Sequence, residues 1–147
     1  MSLSPVLDDP TFSTIRRATI GIPILVRSPE GKEAYWFVPL ITGTKASGFA
    51  RVDKNLRVSQ VGLFGANPDD QGSWIDVSFF ERPPPEAINS IKARYPEMEM
   101  SVPFFSYDQS PAKWGWIVKL KDKRMITIFI TPGGWYEQIE RHANIEG

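Results

Sequence analysis

The chain contains no cysteine. Thiol nucleophiles, thiolate metal ligands and a disulfide framework are excluded together. The compartment stays open, because oxidising compartments also hold cysteine-free domains. Histidine is almost as scarce, with His142 alone in a polar tail. A solvated tail position is its plainer reading, and histidine-dependent triads and multi-histidine metal sites drop out. No apolar run approaches the roughly 20 residues that span a bilayer, so no membrane span is expected. No secretory leader is visible. Met1-Ser2-Leu3 and Glu146-Gly147 (1–3 and 146–147) read as cloning scars, so a natural leader could have been trimmed away.

An excess of charge of either sign is missing as well. Seventeen basic residues balance seventeen acidic ones, for a formal net charge of zero. Phosphate neutralisation supplies most of the affinity of nucleic-acid binders, so no nucleic-acid partner is expected. Weak self-repulsion favours self-association, and a homodimer is one expectation. Phosphate-binding loops are absent too. Gly62-Leu63-Phe64-Gly65 follows a strand-like run but lacks the Gly-x-Gly-x-x-Gly spacing, the lysine and the following helix. No cofactor and no metal are expected.

What is present is a packed globule: 147 residues, 41% hydrophobic and 12% aromatic. A chain this long can bury about 68–70% of its unfolded surface without staples. Residues 1–147 read as a single domain. Asp9-Pro10 followed by Phe12, Ile15 and Ala18 predicts a short helix, capped by Asp9 with Pro10 at its first position. The clearest helix is predicted from Pro85 to Tyr95. Ile88, Ile91 and Tyr95 repeat at helical spacing, Lys92 and Arg94 suit the negative end, and Pro96 stops it.

Most other segments read as strands. Ile22 to Arg27 and Glu33 to Ile41 flank a Ser-Pro-Glu-Gly-Lys connection, and Gly48 to Val52 and Leu56 to Leu63 flank Asp53-Lys54-Asn55. Pro39 predicts an edge position for the Glu33–Ile41 strand, because proline cannot donate to a central ladder. Trp74 to Phe80 is a further candidate strand. Met98 to Tyr107, Trp114 to Leu120 and Arg124 to Thr131 predict a meander, and Trp135 to Ile139 follows a Pro-Gly-Gly turn.

Two halves, 9–80 and 84–140, can be laid over each other. Ser28-Pro29 leads to Tyr35-Trp36-Phe37-Val38 as Ser110-Pro111 leads to Trp114-Gly115-Trp116-Ile117-Val118. Asp53-Lys54 precedes one strand as Asp122-Lys123 precedes another. Shared hairpin patterning is an equal explanation. The predicted class is α+β: an antiparallel meander sheet carrying one or two helices, with two tandem helix-plus-meander halves if the repeat is real.

Within Glu86 to Thr131, the order Ala87-Ile88…Ile91…Arg94-Tyr95-Pro96, a strand, and then Trp114-Gly115-Trp116-Ile117-Val118-Lys119 resembles a PepSY-type or cystatin-like module. The resemblance covers about a third of the chain and carries no chemical motif. It implies a non-catalytic module that binds or inhibits proteases and other partners. It also implies a place outside the cytoplasm if a leader was removed; otherwise a cytoplasmic one stands. The Gln-x-Val-x-Gly wedge of true cystatins has no equivalent here, which puts inhibition of papain-like proteases in doubt.

The five tryptophans are the most unusual content. Period-two alternation puts Trp114 and Trp116 on one face of a strand. Core filling is the favoured reading, and a binding surface the alternative. The candidate surface is Trp114, Trp116, Trp135, Tyr136 and Trp36, with Trp135-Tyr136 expected to be the most exposed. Among acids, Asp69-Asp70, Asp76, Asp108 and Glu137 are the residues a carboxylate hydrolase would draw on. The Lys119, Lys121, Lys123, Arg124 cluster surrounds a hairpin tip and reads as a solvated turn. No catalytic residue is assigned. The leading expectation is a protein-interaction or inhibitory module, docking on a concave sheet face or by strand addition. A carrier of a small lipophilic ligand is second, and a carboxylate-dependent hydrolase third.

Overall fold

Alternating and β-branched apolar runs separated by glycine- and proline-bearing turns build two antiparallel sheets in this computed structural model, which describes residues 18–64 and 71–138, with 110–112 described by backbone alone. The predicted helix beginning at Asp9, the Asp69-Asp70 pair and His142 lie outside the described residues. The chain divides into two units, Met1–Arg82 and Pro83–Gly147. Each has its own sheet.

In the first unit β1 (Thr19–Ile20) and β2 (Ile24–Arg27) run along one side of β3 (Glu33–Thr42). On the other side lies β4 (Lys45–Val52), flanked in turn by β5 (Val58–Leu63) and β6 (Ile75–Asp76). The predicted Ser28–Lys32 connection closes with Ser28 N–H donating to Lys32 O at 2.7 Å and with Gly31 at φ 92°. The β3–β4 turn has only Gly43 and Thr44 between paired Thr42 and Lys45, with Gly43 at φ 69°. A type II′ connection asks for positive φ at that first central residue, and glycine supplies it without a Cβ clash. β4 therefore starts three residues before the expected Gly48.

Pro39 corrects the edge assignment. β3 is an inner strand, paired on both sides. Gly21 N–H donates to Pro39 O at 2.8 Å, so the proline nitrogen faces the same gap between β1 and β2, where no ladder bond is lost. The segment Trp74 to Phe80 is corrected too. Only Ile75 and Asp76 pair, and Val77–Phe80 forms a 3₁₀ turn. The Asp76 carboxylate accepts from Ser78 N at 3.0 Å and from Ser78 Oγ at 2.8 Å, which favours a cap over continued strand.

Both faces of β3 are buried, for different reasons. Val38, Leu40, Ala50 and Val52 form one cluster with Trp36, Val58, Val61 and Leu63 packed against it. The opposite face carries a run of stacked rings: Phe37 on Phe49 at 5.2 Å, Phe37 on Phe80 at 5.4 Å and Phe49 on Phe64 at 5.6 Å.

The second unit opens with α1 (Pro85–Arg94), one residue shorter than predicted. Pro85 sits at its start, Glu86 in the first turn, Lys92 and Arg94 in the last, and Ala87 and Ile91 are buried. The sheet runs β7 (Glu99–Met100), β8 (Phe104–Asp108), β9 (Ser110–Lys121), β10 (Met125–Thr131) and β11 (Gly134–Glu137). β7 and β8 lie along one side of β9, β10 along the other, and β11 beyond it. The single strand expected from Met98 to Tyr107 is thus two pieces, broken at Ser101-Val102-Pro103.

The two sheets are paired alike. Thr19↔Ile41 and Ile20↔Leu40 in the first unit answer to Glu99↔Lys121 and Met100↔Leu120 in the second, each number raised by 80. Ile24↔Phe37 and Leu25↔Trp36 answer in the same way to Phe104↔Ile117 and Phe105↔Trp116. The bridging bond Gly21 N–H to Pro39 O has its counterpart in Ser101 N–H to Lys119 O, both 2.8 Å. Even the exposed residues in the break correspond, since Ile22 and Val102 are each 84% exposed and each precedes a proline. Beyond the hairpin tip the shift becomes 78, as in Val38↔Ala50 and Val118↔Ile128. The strand answering to β10 is accordingly β4, not the Leu56–Leu63 strand that follows Asp53-Lys54. α+β architecture with antiparallel sheets holds.

Candidate binding site on the second sheet

The turn into β11 is built by Thr131, whose hydroxyl accepts from Gly133 N at 3.3 Å and donates to Gly134 O at 3.2 Å. It delivers two adjacent aromatics to opposite faces, as period-two alternation requires. Ile130 is directly paired with both Trp116 and Trp135, which places those three side chains on one face. That face carries α1: the Trp135 indole N–H donates to Ser90 Oγ at 3.1 Å, and Tyr95 hydroxyl donates to Glu137 Oε1 at 2.9 Å.

Beside Trp135 lies an open cleft of about 340 Å³ between the first turns of α1 and the β10–β11 turn. Pro84, Ala87, Pro132 and Trp135 give it apolar walls, and among the described residues Glu86 is the sole charged one in its lining. Trp116, 9% exposed, and half-buried Trp114 lie on the same face, packed on Phe105 at 5.1 and 5.9 Å. These two are sheet packing. Trp36 belongs to the first unit and packs against its Val38–Val52 cluster. Trp135 and Tyr136 are both half-buried rather than the exposed pair expected.

Tyr136 reaches the other face, where it donates to Asp108 Oδ2. Asp108 is 4% exposed. It also accepts from Gln138 Nε2 at 2.7 Å and meets Lys113 Nζ at 3.5 Å. The Lys113 ammonium lies 5.0 Å from the centre of the Tyr136 ring. Burial pushes the Asp108 carboxyl upward, but bonds from Tyr136 and Gln138 and the Lys113 charge outweigh it, leaving the group below its ordinary 3.8. Burial, with the bond to Asp108, raises the Tyr136 hydroxyl above its usual 10.0. Donation toward Tyr136 raises Lys113 as well. A carboxylate kept ionised and saturated with donors, beside a tyrosine kept neutral, clasps β11 to the β8–β9 corner.

Two other acids singled out in the sequence, Asp76 and Glu137, are engaged in the same structural manner. Asp76 caps its 3₁₀ turn, and hydrogen bonds from Ser78 lower its carboxyl. Glu137 holds Tyr95. Among the described residues no group of three or more histidine, cysteine or acidic side chains stands close enough to hold a metal ion. No described helix is long and apolar enough to cross a membrane.

Sequence reasoning missed Ser90, Lys113 and Gln138. Their partners lie 45, 5 and 30 positions away, and nothing local marks them. Comparison with protein-family models, with curated proteins and with solved structures finds no match for this chain in any of the three.

Proposed function

We propose that this chain is a non-catalytic protein-interaction module, regulatory or inhibitory in role, built from two tandem helix-plus-meander halves on a PepSY- or cystatin-like plan. The constant shift of 80 between the two sets of strand pairs supports the tandem halves, because independent hairpins have no reason to share both register and the position of an edge break. The covariation at that break adds weight. Where the second half has Ser101 Oγ accepting from Lys119 N–H at 2.9 Å, the first has Gly21 without a hydroxyl and Pro39 without an N–H.

The observation that carries the interaction reading is the open cleft walled by Trp135. Tryptophan in a concave setting with a polar rim is the usual anchor of a protein contact. Strand addition is the weaker mode, because every outer edge is blunted. β1–β2 and β7–β8 are interrupted, β5 carries a bulge opposite Arg51 and Val52, and β11 has four residues. A small lipophilic ligand in the same cleft is the second reading, favoured by a volume within the roughly 300–1,000 Å³ of ligand sites. A carboxylate hydrolase draws no support from Asp76, Asp108 or Glu137, each tied into the fold.

The test is selection of peptides from a display library against the folded chain, followed by mapping on its amide spectrum. Saturable binders that shift residues 84–90 and 131–135 are the expected result. Binders that map elsewhere, or a library that returns none, would sink the reading. Titration with fatty acids and other lipophiles separates the second reading by a shift of Trp135 without any peptide.

A further inference from the structure

The charge and walls of the α1–β11 cleft point to its occupant. Among the described residues Glu86 is the only ionisable one in the lining, exposed and one position into α1. The N-terminal end of a helix carries about +0.5 of an elementary charge, whereas a carboxylate carries a full negative one, so the sign at the rim is negative. Trp135 lines the same cleft, steadied by its indole bond to Ser90 at 3.1 Å. Pro84, Ala87 and Pro132 complete an apolar trough. A carboxylate and an indole lining one apolar cleft suit a cationic head on a hydrocarbon stem.

From this we infer that the cleft takes an arginine or lysine side chain presented by a partner protein. The inference rests on the interaction-module reading and deepens it. Arginine fits better than lysine, because its planar guanidinium can stack on the indole while its edge donates to Glu86. The equivalent position in the first half is Val58, so among the described residues the Trp135 wall belongs to the second half.

The probes are a hexa-arginine peptide, its hexa-citrulline counterpart and free L-arginine, titrated into the full chain. Binding is followed by the Trp135 indole N–H resonance, assigned with Trp135→Phe. The expected result is a saturable shift with hexa-arginine, weakened by salt, and little with citrulline. Glu86→Gln should weaken hexa-arginine by about fivefold, the size of an exposed charge pair. Glu97→Gln, an exposed acid outside the cleft, should leave it unchanged and keep the amide spectrum of the native chain. Equal binding of citrulline, or indifference to Glu86→Gln, overturns the cationic occupant. Free arginine binding as tightly as the peptide overturns a protein source. If library peptides without basic residues shift the cleft instead, the cation fails while the interaction reading survives. If no peptide shifts it, both fall.

Discussion

The two sheets differ least where backbone meets backbone and most where side chains fill space. Trp36 and Trp116 occupy equivalent places, as do Val38 and Val118, and Leu40 and Leu120. On the opposite face the match ends. Tyr35 in the first sheet, lying under the Arg51 guanidinium at 5.4 Å, is answered by Gly115 in the second, and Arg51 by Phe129. Phe37 and Phe49 are answered by Ile117 and Thr127. One sheet fills that face with stacked phenylalanines. The other uses a smaller apolar set and a polar clasp around Asp108. Register depends on which positions face a core, and many packings satisfy it, so the ladder can persist while the filling is exchanged.

Predictions that break or sharpen this comparison run from large effects to small. Phe37→Ala removes a fully buried ring from the stack and should cost about 3–5 kcal/mol, against about 2–5 for Ile117→Ala at the equivalent site. Chemical denaturation of both variants checks the order. Gly115→Ala comes next. An added Cβ would clash with the Ile130 carbonyl oxygen and stand 2.9 Å from the Phe129 ring, so the β9–β10 ladder must move, at about 1–3 kcal/mol. Gly62→Ala should cost less, because the obstruction there is the half-buried Phe49 side chain rather than backbone.

Asp108→Asn should cost about 1–3 kcal/mol and loosen β11 before the rest of its sheet, read by amide exchange at 134–137. The same substitution should alter the acid limb of stability. The folded carboxyl sits below 3.8, so its contribution is present above that value and lost as pH falls through the folded one. Tyr136 titrates above 10.0, so its contribution is present below pH 10 and lost as pH rises beyond it. Tyr136→Phe should therefore flatten the alkaline limb and also shrink the acid one, because it removes a bond that lowers the Asp108 carboxyl.

The smallest effect tests the equivalence itself. Pro39→Lys alone introduces an N–H with no acceptor, and Gly21→Ser alone crowds Ile41 and Pro39 O at 2.8 and 3.0 Å. Together they import the second sheet's Ser101–Lys119 arrangement. A coupling of about 1 kcal/mol in the double-mutant cycle is expected, and additivity would argue against equivalent breaks.

Much of this was legible in residue order. The Pro85 helix was written in its spacing and its terminal charges, and the Ser28–Lys32 and Pro132-Gly133 turns in residues that favour turns. Trp114 and Trp116 on one face followed from period two. Pro39 misled because proline excludes a donor bond without saying which side of the strand it faces. Only the gap opposite Gly21 decides that. Trp74 to Phe80 misled because its apolar content suited a strand, while the Asp76–Ser78 cap, a two-residue contact, won locally.

The candidate site was legible only in part. Trp135 and Tyr136 stood out as aromatics after a turn, but their roles were settled by partners far along the chain. Composition excluded thiol and multi-histidine chemistry, and periodicity determined which residues lie on common faces, because both depend on residue type and near neighbours. Tertiary structure alone decided that β3 is central, that Ser90 meets Trp135 to wall a cleft, and that Asp108 is clasped by Tyr136, Gln138 and Lys113. The Ser90, Tyr136 and Gln138 contacts join residues 28 to 45 positions apart, and no local rule of spacing encodes them.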